Sequence, residues 1–196
     1  MAAPPAGKSE PITNYRQLVE HLEEGCKPRE KWRIGTEHEK FVFKLDTHEP
    51  APYKGDWGIG RFLEGLIRFG WEPVLENGNP IALTMNYCNV SLEPGGQLEL
   101  SGAPLENIHQ TCDEVNEHLR EVKSIADAIG VGFIGLGAAP EWMHDEMPLM
   151  PKGRYKLMDA YMDRVGTSGT TMMRRTCTVQ VNLDFGSESD MVQKLR

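Results

Sequence analysis

The chain lacks most of the short signatures that assign chemistry at once. It has no CxxC pair, no GxxxxGK[ST] loop, no EF-hand loop and no internal repeat. No apolar run approaches the ~20 residues that a membrane span requires. Each absence excludes something. The four cysteines, Cys26, Cys88, Cys112 and Cys177, are widely separated, which fits reduced thiols better than a zinc site or a disulfide scaffold. Without a P-loop, any nucleotide must be held in another way. A formal GxGxxG at Gly130-Val131-Gly132-Phe133-Ile134-Gly135 follows a helical pattern and lies inside a strand pattern, so it is not the strand-to-helix turn of a dinucleotide site. Positive charge is also scarce, with 21 Lys and Arg against 29 Asp and Glu for a net charge of −8. That balance argues against nucleic acid or an anionic membrane surface as a partner. An anionic substrate would have to be met by a few local cations or by metal ions. The first residues, MAAPPAGKSEP, contain neither an apolar signal core nor the Arg- and Ser-rich composition of a transit peptide. Residues 1–12 are therefore expected to be a disordered lead, with residues 13–196 forming one α+β unit.

What is present is alternation. In Ser91 to Ala103, Glu93, Gln97 and Glu99 share one parity, while Leu92, Leu98 and Leu100 share the other. A strand sends alternate side chains to opposite faces, so this ribbon has a carboxylate face and an apolar face. Pro94-Gly95-Gly96 is expected to bend or bulge it. Trp32 to Phe43 reads as a second strand, with Glu37 and Glu39 on one face roughly 6.5–7 Å apart and His38 on the other. Thr176 to Phe185 alternates completely, with Thr178, Gln180 and Asn182 opposite Val179, Val181 and Leu183. Helical patterns cover Thr13–Glu24, with an apolar stripe of Leu18, Val19 and Leu22, and Gly58–Phe69. A third runs over Pro104–Ile129, with a seam of Leu105, Ile108, Cys112, Val115, Leu119 and Val122. Asn77-Gly78 marks a hairpin whose loop is expected to exceed two residues. Ser187 or Ser189 caps a last helix. Strands with one polar and one apolar face point to an antiparallel sheet covered by helices on one side.

Brought into one sheet, Glu37, Glu39, Glu93 and Glu99 would crowd four carboxylates together and raise one another's pKa. Divalent cations relieve such crowding, and all-oxygen ligation selects Mg²⁺, Mn²⁺ or Ca²⁺. The amides of Gln180 and Asn182, with Lys152, Arg154, Arg174 and Arg175, suit a small zwitterionic substrate.

The blocks Trp32-Arg33-Ile34-Gly35-Thr36-Glu37-His38-Glu39-Lys40-Phe41, Ser91 to Gln97, Glu99 to Glu106, His109 to Cys112, Met150 to Tyr155 and Arg175 to Phe185 resemble, in order, the glutamate–cysteine ligases of the plant and proteobacterial type. The resemblance implies a glutamine synthetase-like funnel built on an antiparallel sheet. It implies ATP-dependent joining of the γ-carboxyl of glutamate to the amine of cysteine through γ-glutamyl phosphate, the first step of glutathione biosynthesis, with ATP and Mg²⁺ required. It carries over Glu37, Glu39, Glu93 and Glu99 as metal-binding acids. Arg154 is carried over as a catalytic and substrate-binding cation, and Arg175, Thr178, Gln180 and Asn182 as substrate-binding groups. The family continues well beyond Arg196, so the chain resembles an N-terminal portion whose partner is the missing C-terminal part. The absence of a transit peptide points to a cytoplasmic bacterial member over a plastid one. Two alternatives stand beside this: another γ-glutamyl or carboxylate–amine ligase of the same fold, and a catalytically silent metal-binding portion that needs a partner chain.

Overall fold

The computed structural model describes residues 11–196; the expected disordered lead falls mostly on residues outside this range. The described chain runs α1 (Tyr15–Glu23), β1 (Ile34–Lys44), α2 (Ile59–Leu66), β2 (Glu72–Glu76), β3 (Asn79–Met85), β4 (Cys88–Leu92) and β5 (Leu98–Ser101). It continues through α3 (Ile108–Ile129), β6 (Val131–Ile134), α4 (Gly153–Val165), α5 (Gly169–Arg175), β7 (Val179–Leu183) and α6 (Glu188–Leu195). This is an α+β fold on a seven-stranded sheet in the order β2-β3-β4-β5-β1-β6, with β7 also paired to β1. Every strand pair is antiparallel. The long β1 organises the sheet: it takes β7 along Ile34–His38, β5 along Glu37–Lys40 and β6 along Phe41–Lys44.

The apolar face carries the main core. Leu83, Val90, Leu92, Leu98, Leu100 and Val42 meet Ile59, Phe62, Leu63 and Leu66 of α2, together with Val122, Ile125 and Ala126 of α3. Phe41, Ala139, Trp142, Met147 and Cys177 form a smaller second cluster, in which the Phe41 and Trp142 rings meet edge to face with centroids 5.6 Å apart. Asn77 (φ 51°) and Gly78 (φ 78°) join β2 to β3. The connection is thus a two-residue turn, shorter than expected, because Asn-Gly tolerates two successive positive φ angles and lets the strands run to the turn itself.

Two further expectations are corrected. The acidic ribbon is a hairpin and not one bent strand: Glu93 N–H donates to Gln97 O and Gly96 N–H to Glu93 O, both at 2.9 Å, so Pro94-Gly95-Gly96 is its turn. Gly96 has φ 86°, and a Cβ on Gly95 would collide with the Arg174 carbonyl. α3 begins at Ile108, because the Asn107 side chain accepts from His109 and Gln110 N–H at 3.1 and 3.2 Å and caps it there. Its buried stripe is Thr111, His118, Val122, Ile125 and Ala126, while Ile108 and Cys112 are exposed. The helix is turned from its apolar seam because Glu114 reaches back to the sheet, accepting from Ala103 N–H at 2.8 Å and from the Cys88 thiol at 3.1 Å. The stripe of α1 is not buried, with Leu18 and Leu22 both exposed. Its start is nonetheless well fixed by a reciprocal cap between Asn14 and Gln17. The apolar side of β7 is likewise open, with Val179 73%, Val181 57% and Leu183 52% exposed. All four cysteines are free. Among the described residues, no helix is long and apolar enough to cross a membrane.

Candidate functional site: an acidic sheet face

Register places the acids. Directly opposed residues of adjacent antiparallel strands share a face. One row across the sheet reads Val74, Ala82, Ser91, Glu99, Glu39. The next reads Glu72, Thr84, Asn89, Ser101, Glu37, Gln180. Glu37, Glu39 and Glu99 therefore lie on one face, with Glu39 directly opposite Glu99. At about 4.8 Å per strand, Glu37 and Glu72 are roughly 19 Å apart along their row. His38 and Lys40 occupy the opposite face, in register with Leu100 and Leu98, which agrees with a structural role for His38. Glu93, in the hairpin turn beyond β4, is within electrostatic reach of both Glu99 and Glu39.

β7 holds the acids of β1 in place. The Thr178 N–H and hydroxyl donate to Glu39 at 2.9 and 3.1 Å. Gln180 Nε2 and Asn182 Nδ2 donate to the two carboxylate oxygens of Glu37, each at 3.1 Å. Thr178, just before β7, and Gln180 and Asn182 within it thus orient carboxylates, beside the substrate contact expected of them. Ser101 donates to Glu99 at 2.5 Å. Burial raises the pKa of Glu39, which the Thr178 hydrogen bonds oppose and the charges of Glu99 and Glu37 reinforce. Glu93 is pushed up to about 7, first by burial and then by the charge of Glu99, against the pull of Lys152.

The cations come from α4 and the residue before it. Lys152 is buried, with its ammonium donating to Leu92 O at 2.7 Å, and burial followed by the charge of Arg154 lowers it to about 8. Arg154 is half-buried, and its Nη2 donates to the Tyr155 hydroxyl at 3.1 Å. Glu76 fixes the start of α4 by accepting from Gly153 N–H at 2.7 Å. Lys152 and Arg154 border a cavity of about 770 Å³ whose other walls include Glu72, Thr84, Asn89 and Ser91. Those four residues stand on the same two rows as the acids, so the cavity adjoins the carboxylates across β4 and β5. Arg175 does not join this group by its contacts; its Nη2 reaches the Ala139 carbonyl at 3.5 Å. Arg174 pairs with Asp159 at 2.6 Å.

Gln97 also departs from its expected place among the polar face groups. It is buried, and its amide donates to Thr176 O at 2.6 Å and lies 3.3 Å from Met173 O, tying the acidic hairpin to the α5–β7 connection. Sequence reasoning missed Asn89 and Ser91 as members of the face. The signal was there in the alternation of Asn89 and Ser91 with Cys88, Val90 and Leu92. It missed Tyr155 because a tyrosine beside two cations in a helix carries no pattern of its own.

Among the described residues, no three His, Cys, Asp or Glu side chains stand close enough to enclose a metal ion by themselves. The donors nevertheless fit a hard cation bound openly. Mg²⁺ commonly uses one or two carboxylates and completes its shell with water and phosphate oxygens. Burial first, and then the charge of Glu99, make the ionised form of Glu93 costly, a cost that a bound cation would offset.

The glutamate–cysteine ligase family 2 model matches residues 33–196. The chain is 53% identical over 189 residues to the chloroplastic glutamate–cysteine ligase of Medicago truncatula, a match covering 96% of this chain and 36% of that protein. To the corresponding chloroplastic enzyme of Nicotiana tabacum it is 54% identical, with 96% and 35% covered. To that of Arabidopsis thaliana it is 52% identical, with 100% and 38% covered. The chain thus spans less than two fifths of the length of these relatives. The expectation of a cytoplasmic bacterial member is overturned, because these relatives are plant proteins named as chloroplastic. That expectation leaned on what the first residues lack, which carries no weight for a chain matching only part of its relatives.

Proposed function

This chain belongs to glutamate–cysteine ligase family 2, and on that premise we propose that it supplies the acidic face of an ATP-dependent ligase joining the γ-carboxyl of glutamate to the amine of cysteine. The observation that carries the reading is the row in which Glu39 opposes Glu99 beside Glu93, adjoining a cavity bordered by Lys152 and Arg154. The overall reaction balances as two displacements. A γ-carboxylate oxygen of glutamate attacks the terminal phosphorus of ATP and ADP leaves. The cysteine amine then attacks the acyl carbon, phosphate leaves, and the amine gives up a proton.

The residues divide this work. Glu37, Glu39, Glu93 and Glu99 would hold Mg²⁺ openly, and the ion would supply neutralisation of phosphate charge. Thr178, Gln180 and Asn182 keep the carboxylates of Glu37 and Glu39 pointed outward and fixed. Such preorganisation matters because phosphoryl transfer is governed by positioning, and a misplacement of about 1 Å can lower a rate ~100-fold. Arg154, at the cavity edge, meets a substrate carboxylate as the catalytic cation. The cavity is large enough for an amino acid, and its mixed lining of Glu72, Arg154 and neutral polar groups suits a zwitterion. The remaining length of the protein, by comparison with the relatives, is the partner that completes the nucleotide site and covers the open side of β7. The plastid is the compartment that the relatives' names support.

The test is ADP release by the complete protein that contains this chain, supplied with ATP, Mg²⁺ and glutamate. The reading expects release that depends on cysteine and yields γ-glutamylcysteine. Equal release with unrelated amines would favour another carboxylate–amine ligase. No release with any amine would leave a metal-binding portion without catalysis, and the reading would fail.

A further inference from the structure

Two separate elements contribute the two charges that the proposed chemistry brings together. Glu93 lies in the turn after β4, whereas Arg154 lies in the first turn of α4. One side chain joins them. Tyr155 is almost wholly buried, and its hydroxyl donates to the carbonyl of Leu92, the residue before Glu93, at 2.5 Å. The same oxygen accepts from Arg154 Nη2 at 3.1 Å and lies 3.3 Å from Lys152 Nζ. Lys152 donates to the same Leu92 carbonyl at 2.7 Å. The Arg154 guanidinium carbon also lies 5.0 Å from the centroid of the Tyr155 ring.

A phenol has one proton to give and two lone pairs to accept with. Here the proton goes to Leu92 and the lone pairs face Arg154 and Lys152, so the hydroxyl is saturated. The Glu93 carboxylate lies 3.5 Å from the same hydroxyl, a longer contact than the 2.5 Å to Leu92. We infer that Tyr155 is a positioning residue: it sets Arg154 at a fixed distance from the backbone that carries Glu93, and so fixes the place of the substrate carboxylate relative to the metal-binding acids. This rests on the reading of Arg154 as the substrate-binding cation. A tyrosine needed only for packing would use its ring alone. The two cations gathered on its oxygen, next to the cavity they border, are what packing leaves unexplained.

The experiment uses the complete protein with Tyr155→Phe, which keeps the ring and removes only the oxygen. Affinity for L-glutamate is measured by calorimetry in wild type and variant, alongside KM and kcat for each substrate. The expected result is about ten-fold weaker glutamate binding and a matching rise in the KM for glutamate, as for losing one charge-assisted hydrogen bond, with the KM for ATP unchanged. A purely structural role would lower kcat with the folded fraction and leave glutamate affinity as it was, and that result would overturn the inference. The second arm repeats the substitution in an Arg154→Met background. If Tyr155 acts through Arg154, removing its hydroxyl there changes glutamate affinity no further. An additional loss equal to that in the wild-type background would overturn the inference, even if Tyr155→Phe alone is poorly folded. Calorimetry reads the positioning without turnover, so a wild-type protein that binds glutamate but releases no ADP would defeat the proposed function and still decide the role of Tyr155.

Discussion

His118 sits where the turned face of α3 meets the sheet. It is only 3% exposed, and neither ring nitrogen has a hydrogen-bond partner in the described structure. From β1, His38 and Lys40 face it; from its own helix, Glu114, Glu117 and Glu121 share the rear cavity it lines. Burial is the largest cause of its shift, and the charges of Lys40 and His38 add to it, bringing the pKa down from the usual 6.5 to about 3. In the unfolded chain the imidazole takes up a proton as pH falls through 6.5, while in the folded chain it does not until about 3. The unfolded state therefore binds more protons in this window, so the stability present above pH 6.5 is lost progressively as pH falls. At 1.36 kcal/mol per unit, the loss by pH 4.5 is about 3 kcal/mol. The perturbation is His118→Leu, which removes the titrating group at similar volume. Urea unfolding of wild type and variant at pH 7.5 and at pH 4.5 gives two differences in stability. Subtracting one from the other cancels the change in packing, which does not depend on pH. The variant should gain about 3 kcal/mol on wild type between the two pH values. Parallel pH profiles for the two proteins, or a gain by wild type, would refute the reasoning.

Other outcomes follow from packing and from the polar tie between hairpins. Leu63→Ala, at a fully buried position of α2, should cost about 2–5 kcal/mol, whereas Leu119→Ala, half-buried on the corrected face of α3, should cost about 1 kcal/mol. Equal shifts in denaturation midpoint would contradict the orientation of α3. Gln97→Leu leaves the Thr176 and Met173 carbonyls without their donor and should cost roughly 1–3 kcal/mol. Hydrogen exchange should accelerate along Cys177 and Thr178, and unchanged exchange there would show that Gln97 does not anchor β7.

Alternation carried most of what could be read in advance. Glu37, Glu39 and Glu99 share a face because side chains on a strand repeat every two residues, and that parity is visible in the letters. Register is not. The direct opposition of Glu39 and Glu99, and the row that joins them to Ser91 and Ala82, depend on how the strands pair. The local turn at Pro94-Gly95-Gly96 pairs β4 with β5, whereas the pairing of β1 with β5 joins segments far apart in sequence. The rotation of α3 was hidden for a similar reason. A seam of Leu, Ile and Val outranks Thr111 and His118 in any apolar count, yet the Glu114 bonds to Ala103 and Cys88 turn the helix. The exposure of the apolar stripes of α1 and β7 could not be read either, because periodicity shows that a face is apolar without showing what covers it. Tyr155 was illegible because its role turns on a hydrogen bond to Leu92, a residue far away in sequence that no local pattern points to.

The acidic face is proposed above as the seat of the divalent cation of an ATP-dependent ligase. Mn²⁺ can stand in for Mg²⁺ at oxygen sites and is detected directly by electron paramagnetic resonance. The decisive measurement is Mn²⁺ binding to the complete protein in the presence of ADP, comparing wild type with Glu39→Gln and Glu99→Gln. The account predicts saturable binding in wild type that competes with Mg²⁺ and weakens in both variants by more than the ~10-fold typical of losing a ligand's supporting partner, with unchanged urea midpoints. Equal Mn²⁺ affinity in all three folded proteins would contradict it.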